Sequence, residues 1–202
     1  MELKTILGLL PVGLAIPSYW LYIRSIYKGD TVPHMYSWLI WSLLAGIGFA
    51  GQVSGNAGPG AWNTGITAVV CFIIFVIAIE KGDRRLTTPD KVLLAVAFGA
   101  IVVRVLTKSA ETATLLATLA ASVGFILTFK KAYHRPKQEN PVTFFVNSLR
   151  NFISLFALNS ITFLTFFYPF CMMLANLSIL GVIIFGRKST TRRVPVNRKI
   201  NV

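Results

Sequence analysis

Four polar side chains recur at helical spacing within one apolar stretch of the chain. Asn147, Arg150, Asn151 and Ser154 lie three or four residues apart, which places them on one face of an α-helix. An arginine deep inside an apolar helix is costly unless it faces protein or water. Arg150 is therefore a candidate to bind an anionic or polyhydroxy solute. The alternative is a structural arginine bonded to asparagine side chains and backbone carbonyls.

Two further asparagines stand among aromatic or apolar residues. Asn63 directly follows Trp62, and Asn176 lies inside the apolar run 160–186. An asparagine amide offers both a donor and an acceptor, and an aromatic ring packs well against a sugar or base ring. These residues are candidates to bind a polar solute, and hydrogen bonding between helices is the alternative for each asparagine.

The composition indicates that these residues sit in a membrane protein. Hydrophobic residues make up 54% of the 202 residues and charged residues only 13%, and the mean hydropathy is +0.66. A soluble domain has roughly 25% charged residues. The apolar residues are also gathered into long runs with the charges in the gaps, as expected for helices that each cross the hydrocarbon core.

Seven such apolar runs follow one another, and together they predict an all-α integral membrane protein with seven transmembrane helices. Breakers such as "SGNAGPG" and "KGDRRLTTPD" separate the runs. The predicted spans are about 5–26, 35–54, 61–80, 91–108, 112–131, 142–158 and 160–186.

The basic residues predict the orientation. The gaps near 24–34, 80–91 and 130–139 and the tail 187–202 are rich in lysine and arginine, whereas the opposite side has only Lys4, Arg104 and Lys108. The positive-inside rule then places the N-terminus outside and the C-terminus in the cytosol, in a multi-pass protein of a bacterial inner (plasma) membrane. The same rule explains the net charge of +13 without a nucleic-acid partner, and the basic loops and tail are expected to contact anionic lipid headgroups.

The sequence offers no metal site, cofactor site or catalytic group. Cys71 and Cys171 lie in apolar runs, without a CxxC spacing, and His34 and His134 lie in different loops. "SGNAGPG" lacks the lysine and the preceding strand of a phosphate-binding loop. An enzyme is not expected, because no nucleophile, base or metal cluster lies at membrane depth. A retinal protein is excluded because the last run, 160–186, has no lysine.

An internal repeat organises the spans. The segments "YIRSIYKGDTVPHMYSWLIWSLL" and "TFKKAYHRPKQENPVTFFVNSLR" align without a gap, so that Trp38 matches Phe144, Trp41 matches Asn147 and Ser42 matches Ser148. The predicted arrangement is 3+1+3, two parallel three-helix repeats: residues 1–90, a linker helix at 91–110, residues 111–186, and a cytosolic tail at 187–202. The single helix restores the orientation of the second repeat.

This arrangement, with Pro17 in the first span, the basic junction "YIRSIYKGDTVPHMYSW" and "GAWNTG" at the start of the third, resembles the PQ-loop superfamily of membrane transporters. That superfamily includes the SWEET sugar transporters and the nicotinamide riboside permeases. Ser18 follows Pro17, so the Pro-Gln pair is missing, and the matching position of the second repeat is Val123. The resemblance implies a proline hinge, and the sequence supports one at Pro17 in the first repeat only.

The resemblance also implies a function and a site. Similar transporters bind a neutral polar solute through an asparagine and an aromatic residue from each third helix, which here correspond to Asn63 with Trp62 and to Asn176. Transport by alternating access of a sugar, a nucleoside or vitamin, or a small carboxylate is expected. A non-transporting receptor or cargo-binding protein on the same fold is the alternative. The oligomeric state stays open, because two repeats in one chain can complete a pathway and further association is possible.

Two more expectations concern mechanism and the tryptophans. All seven acidic residues lie in gaps or at span ends, and proton-driven carriers usually place such groups within the spans. Facilitated diffusion is therefore expected. Trp38, near the cytosolic interface, is interpreted mainly as an anchor, and Trp41, one turn deeper and matched with Asn147, as part of the cavity wall.

Overall fold

The computed structural model describes residues 2–134 and 140–192, and these form helices joined by short loops, with no β-strand. The side chains of 127, 131 and 188–192 are not part of this description. In order, the helices are α1 (Glu2–Tyr27), α2 (Met35–Ser54), a short 3₁₀ turn (Gly58–Ala61), α3 (Trp62–Lys81), α4 (Thr88–Thr107), α5 (Ala110–His134), α6 (Pro141–Phe156) and α7 (Phe163–Arg192). Each α-helix overlies one of the seven predicted apolar runs, with ends that differ by a few residues.

Local sequence signals explain where several helices begin. Thr87 and Asp90 form a reciprocal capping box at the start of α4. The Asn140 side chain accepts a hydrogen bond from the amide of Val142 at 3.0 Å, with Pro141 at the first position of α6. The ring of His34 accepts from the amide of Ser37 at the start of α2. These caps satisfy amides that have no partner within their helix.

Five helices are long and apolar enough to cross a membrane: α1, α2, α3 with its 3₁₀ turn, α5 and α7. The other two do not meet that criterion. Helix α4 carries Asp90, Lys91 and Arg104, and α6 has only 16 residues. A helix of that length spans about 24 Å, less than the roughly 30 Å of a hydrocarbon core. The apolar helices, with exposed side chains such as Leu106 and Phe185, indicate a membrane-embedded protein.

The helices pack as two triplets joined crosswise. In the first triplet α3 contacts both α1 and α2, and in the second α7 contacts both α5 and α6. Between the triplets, α1 packs against α6 and α2 packs against α5. Helix α4 packs against α2 and α5.

In each triplet, a serine of the second helix donates a hydrogen bond to the backbone of the third helix. Ser42 on α2 donates to the carbonyl oxygen of Ala68 on α3 at 3.0 Å. Ser148 on α6 donates to the carbonyl oxygen of Met173 on α7 at 3.3 Å. These serines are one of the pairs matched by the sequence alignment of the repeats.

Small residues allow the closest approaches between the triplets. A Cβ atom added at Gly48 would lie 2.8 Å from the ring of Tyr168, and one at Gly51 would lie 2.2 Å from the hydroxyl of Thr114. Since Tyr168 and Thr114 belong to α7 and α5, both glycines let α2 seat against the second triplet.

Hydrogen bonds connect the two triplets at the end of the bundle where α1 begins. The Lys4 ammonium donates to the carbonyl oxygen of Leu158 at 2.7 Å, and the amide of Asn159 donates to Ala57 at 2.9 Å. At the opposite end, backbone bonds at 2.9 Å join Met35 to Asp83 and Asp83 to Pro33. Those bonds stay within the first triplet and the loop that leads to α4.

Candidate functional site

A cavity of about 420 Å³ lies between the two triplets. Six helices supply its wall, and α4 supplies none of the residues that line it. The lining combines seven aromatic rings with hydroxyl, amide and guanidinium groups, and it includes no acidic residue or histidine. The lining residues are Ser18, Tyr19, Tyr22, Trp38, Trp41, Ala45, Asn63, Thr64, Thr67, Cys71, Phe125, Thr128, Thr143, Phe144, Asn147, Arg150, Asn151, Tyr168, Met172 and Asn176.

The structure brings six of the seven predicted binding residues to this one cavity: Asn63, Asn147, Asn151, Arg150, Asn176 and Trp41. Asn176 lies at its α7 wall, with 4% of its surface exposed, and its amide nitrogen donates to the carbonyl oxygen of Met172 at 2.8 Å.

Trp62 does not line the cavity, so its prediction as a binding residue is not supported by its position. It is the first residue of α3 and is 38% exposed. Successive residues of an α-helix point about 100° apart. Because Asn63, Thr67 and Cys71 face the cavity, Trp62 is turned to one side of that face.

Arg150 is buried and held by neutral partners on three helices. Its Nε donates to the carbonyl oxygen of Pro11 on α1 at 3.1 Å. Its terminal nitrogens donate to Thr67 Oγ1 on α3 at 3.2 Å and to Asn147 Oδ1 on α6 at 3.3 Å. The guanidinium also lies over the ring of Tyr19, 5.5 Å from its centroid. With 3% of its surface exposed, Arg150 joins both triplets and borders the cavity.

These bonds belong to a closed ring of polar contacts between α3 and α6. Thr67 donates to the carbonyl oxygen of Asn63 at 2.8 Å, and Asn63 Nδ2 donates to Asn151 Oδ1 at 3.2 Å. Asn151 Nδ2 donates to the carbonyl oxygen of Asn147 at 2.9 Å. Arg150 closes the ring through Asn147 and Thr67. We call these five residues the polar ring.

Two oxygen atoms beside the polar ring are buried and have no hydrogen-bond partner in the described part of the chain. They are Asn63 Oδ1 and Thr64 Oγ1. Both residues line the cavity, and they are only 3% and 2% exposed. A buried polar atom without a partner is unfavourable, so these atoms are candidates to form hydrogen bonds with a bound molecule.

Aromatic rings form much of the remaining wall. Trp41 meets Phe125 edge to face at 5.1 Å between centroids, and Tyr22 lies 5.0 Å from Trp38. Trp38 therefore lines the cavity as well, a position that its interpretation as mainly an interfacial anchor did not include.

The predicted hinge, Pro17, lies in α1 beside the lining residues Ser18 and Tyr19, and α1 is helical on both sides of it. A second proline, Pro11, is buried in the same helix and supplies the carbonyl that Arg150 binds. No position of the second triplet was predicted as a hinge, and the proline inside α7 is Pro169.

Sequence reasoning missed Tyr19, Tyr22, Thr64 and Phe125 as lining residues. The signal for α1 was present, because Ser18, Tyr19 and Tyr22 share a face of an otherwise apolar helix. Phe125 had no such signal, since a phenylalanine in an apolar run is equally expected to face lipid. Thr64 is adjacent to Asn63 but lies on the neighbouring face of the helix.

A smaller cavity of about 140 Å³ lies between α2, α4 and α5 and shares Trp41 and Thr128 with the first. It contains Asp90, whose carboxylate accepts from the amide and hydroxyl of Thr87. Nε2 of His34 lies 3.8 Å from this carboxylate. Because Asp90 is engaged as a helix cap, we assign it a structural role.

The loop that precedes α4 holds a surface ion pair. Arg85 contacts the carboxylate of Asp83 at 2.6 Å and lowers the pKa of Asp83 to about 2 through hydrogen bonds and charge. This carboxylate therefore stays ionised at neutral pH. No group of three histidine, cysteine or acidic residues that could hold a metal ion occurs in residues 2–134 and 140–192.

Comparison with known proteins gave no match: no family model, curated protein or solved structure is similar to this chain at a significant level.

Proposed function

We propose that this chain is a membrane transporter that moves a small polar solute by alternating access. The observation that carries the proposal is the cavity between the two triplets, lined by buried polar groups from both. A site between two structurally similar halves is a common plan for secondary transporters, in which the halves rock against each other around the solute.

We further propose that all seven helices cross the membrane in the 3+1+3 arrangement, with α4 as the linker, the N-terminus outside and the C-terminus in the cytosol. The crosswise packing of α1 with α6 and of α2 with α5 supports two parallel repeats. The equivalent bonds of Ser42 and Ser148 support the same alignment. The matched pair Trp41 and Asn147 adds to this, because both line the cavity.

The short helix α6 and the charged helix α4 are compatible with that topology. Arg150 is the single charged residue of α6 and is buried against α1 and α3, so its charge is shielded from lipid. In α4, Asp90 and Lys91 lie in the first turn and Arg104 in the last, so the charges lie at the two membrane surfaces.

The described structure corresponds, in this proposal, to a state closed toward the outside. Contacts between the triplets at the N-terminal end of α1 support this. They include the bond from Lys4 to Leu158, the bond from Gly60 to Ala157 at 3.1 Å, and the bond from Asn159 to Ala57. The polar ring lies between this end and the aromatic part of the cavity.

The lining favours facilitated diffusion of the solute. Proton-coupled carriers use acidic or histidine side chains at membrane depth, whereas the described lining has neither. Sugars, nucleosides or vitamins, and small carboxylates are the solute classes that amide, hydroxyl, aromatic and guanidinium groups can bind.

The test combines solute binding with solute flux. Thermal-shift screening of the purified protein against these solute classes should identify a stabilising solute, and the same solute should enter proteoliposomes with saturable kinetics. Asn176→Ala, Asn147→Ala and Arg150→Ala should each weaken the response, whereas Ser178→Ala, on the exposed side of α7, should not. Binding without flux would instead identify a receptor or cargo-binding protein, and unchanged binding in all three variants would contradict the assigned site.

A further inference from the structure

We infer that the solute of this cavity is a small monocarboxylate that carries a planar ring and at least one N–H or O–H donor. This inference rests on the proposed function and narrows its solute to one chemical class. It depends on three features of the cavity: a buried cation without an anion, two buried oxygen atoms without hydrogen-bond partners, and a wall of aromatic rings.

The first feature is the charge of Arg150. Its hydrogen-bond partners, Pro11, Thr67 and Asn147, are all neutral. The ion pairs formed by Asp90 with His34 and by Asp83 with Arg85 do not include Arg150. Neutral dipoles satisfy donors but leave the net charge in place, and an unpaired charge in a low-dielectric site attracts an anion strongly. A carboxylate matches the planar guanidinium better than a hydroxyl does.

The second feature is the pair of unpartnered oxygen atoms, Asn63 Oδ1 and Thr64 Oγ1. Asn63 Oδ1 can only accept a hydrogen bond, so it requires an N–H or O–H donor. Its own amide nitrogen is already used by Asn151, which fixes the direction of the free oxygen. A solute with a carboxylate alone would leave this oxygen without a partner.

The third feature is the aromatic wall beyond the polar ring. Trp41 and Phe125 meet edge to face, and Tyr22 packs against Trp38. Such surfaces favour a planar ring over a branched chain, because aromatic pairs gain from offset and edge contacts. A cavity of about 420 Å³ is large enough for a one-ring molecule.

The charge of such a solute affects the energetics of its transport. Facilitated diffusion of a monoanion moves net charge across the membrane, so the flux must respond to membrane potential. An electrically neutral sugar or nucleoside would give no such response. The voltage dependence of uptake therefore separates this solute class from the others.

The experiment uses the full chain in proteoliposomes with two matched probes, 4-hydroxybenzoate and 4-hydroxybenzamide. They share a ring and an O–H donor and differ in charge. After uptake into protein-free liposomes is subtracted, we expect saturable uptake of 4-hydroxybenzoate that rises when the liposome interior is made positive. Uptake of the amide should be at least tenfold lower, the loss of about one charge-assisted hydrogen bond. Uptake of benzoate, which lacks the O–H donor, should be lower than uptake of 4-hydroxybenzoate.

Variants test each feature separately. Arg150→Gln should reduce 4-hydroxybenzoate uptake about tenfold or more, Arg150→Lys should retain part of it, and Arg104→Gln, whose side chain is exposed on α4, should leave it unchanged. Thr64→Val should reduce the advantage of 4-hydroxybenzoate over benzoate. If Arg150→Gln does not fold, Arg150→Lys and Thr64→Val still test the inferred solute class.

Two results overturn the inference in distinguishable ways. If uridine, glucose or 4-hydroxybenzamide is taken up as well as the carboxylates, independently of voltage and of Arg150, the protein is a transporter but the solute class is wrong. If no probe, charged or neutral, is bound or taken up by folded protein, the proposed function and the inference both fail.

Discussion

Nε of Arg150 lies 3.1 Å from the carbonyl oxygen of Pro11, so a side chain of α6 is bonded to the backbone of α1. Because the acceptor is a backbone atom, replacing the proline side chain does not remove it. The side-chain partners of the same guanidinium are therefore the better places to test how this contact stabilises the protein.

Thr67 is the first of these places. Its hydroxyl accepts from Arg150 and donates to the carbonyl oxygen of Asn63. Thr67→Val keeps the shape and removes both bonds, so we expect a loss of about 1–3 kcal/mol in unfolding free energy, measured by denaturation in detergent. Thr107→Val removes a similar bond to Val103 on an exposed surface and should have a much smaller effect. Equal losses for the two variants would contradict the role of the polar ring.

The two cavity tryptophans should report solute binding directly. Trp38 and Trp41 line the cavity, whereas Trp20 is 65% exposed and Trp62 lies outside it. In variants that keep a single tryptophan and replace the others by phenylalanine, a bound solute should change the emission of Trp38 or Trp41 and leave that of Trp20 constant. A change confined to Trp20 would place the solute on the outer surface of the bundle.

Gly48 should be intolerant of a methyl group. A Cβ atom there would lie 2.8 Å from the buried ring of Tyr168, whereas one at Gly46 would contact nothing within 4 Å. We expect Gly48→Ala to lower stability by about 1–3 kcal/mol through overpacking. Gly46→Ala, in the same helix, should be neutral or stabilising by up to about 1 kcal/mol. Thermal unfolding of both variants decides this, and similar melting temperatures would argue against close packing of α2 and α7.

Ser42 and Ser148 should behave alike if the chain contains two equivalent repeats. Each serine forms a hydrogen bond from the second helix of its triplet to the backbone of the third. Ser42→Ala and Ser148→Ala should each cost about 0.5–1.5 kcal/mol, measured by chemical denaturation. Ser178→Ala is the control, because Ser178 bonds only within its own helix at an exposed position. A large loss for one serine and none for the other would weaken the alignment of the repeats.

A pH gradient should not drive accumulation of the solute. The described cavity has no acidic or histidine lining, and the exposed carboxylate of Asp83, with its pKa lowered to about 2, does not exchange protons near neutral pH. Any stability that the folded state gains from ionised Asp83 is present above the ordinary aspartate pKa and is lost as the pH falls toward 2. Accumulation in proteoliposomes that is driven by an imposed gradient between pH 6 and pH 8 and exceeds that in protein-free liposomes would overturn this expectation.

Much of the fold could be predicted from the sequence because bilayer proteins leave strong signals. Apolar runs and breakers placed the seven helices, including α2 at Met35–Ser54. Whether α4 and α6 cross the membrane could not be judged in this way. Helix α4 carries charges and α6 is short, and only neighbouring helices can shield a charge from lipid. Arg150 shows this, because only the structure reveals that Pro11, Thr67 and Asn147 surround it.

The candidate site was predicted mainly where polar residues contrast with apolar surroundings, and Trp41 was predicted through its match with Asn147 in the repeat. Asn63, Asn147, Asn151 and Asn176 stood out for that reason, and all four line the cavity. Aromatic residues gave no comparable contrast, because they occur equally at lipid interfaces, in packing and in binding sites. The positions of Trp38 and Phe125 therefore depended on tertiary packing.

The polar ring also sets how the bundle can move. Its bonds share residues: the Thr67 hydroxyl both accepts and donates, and Asn147 accepts through its side-chain and its backbone oxygen. Hydrogen bonds linked in this way strengthen one another, so they are expected to break together, and a half-open ring should be sparsely populated. A solute whose own groups replace the lost partners would lower that barrier, so the empty protein should interconvert more slowly than the loaded one.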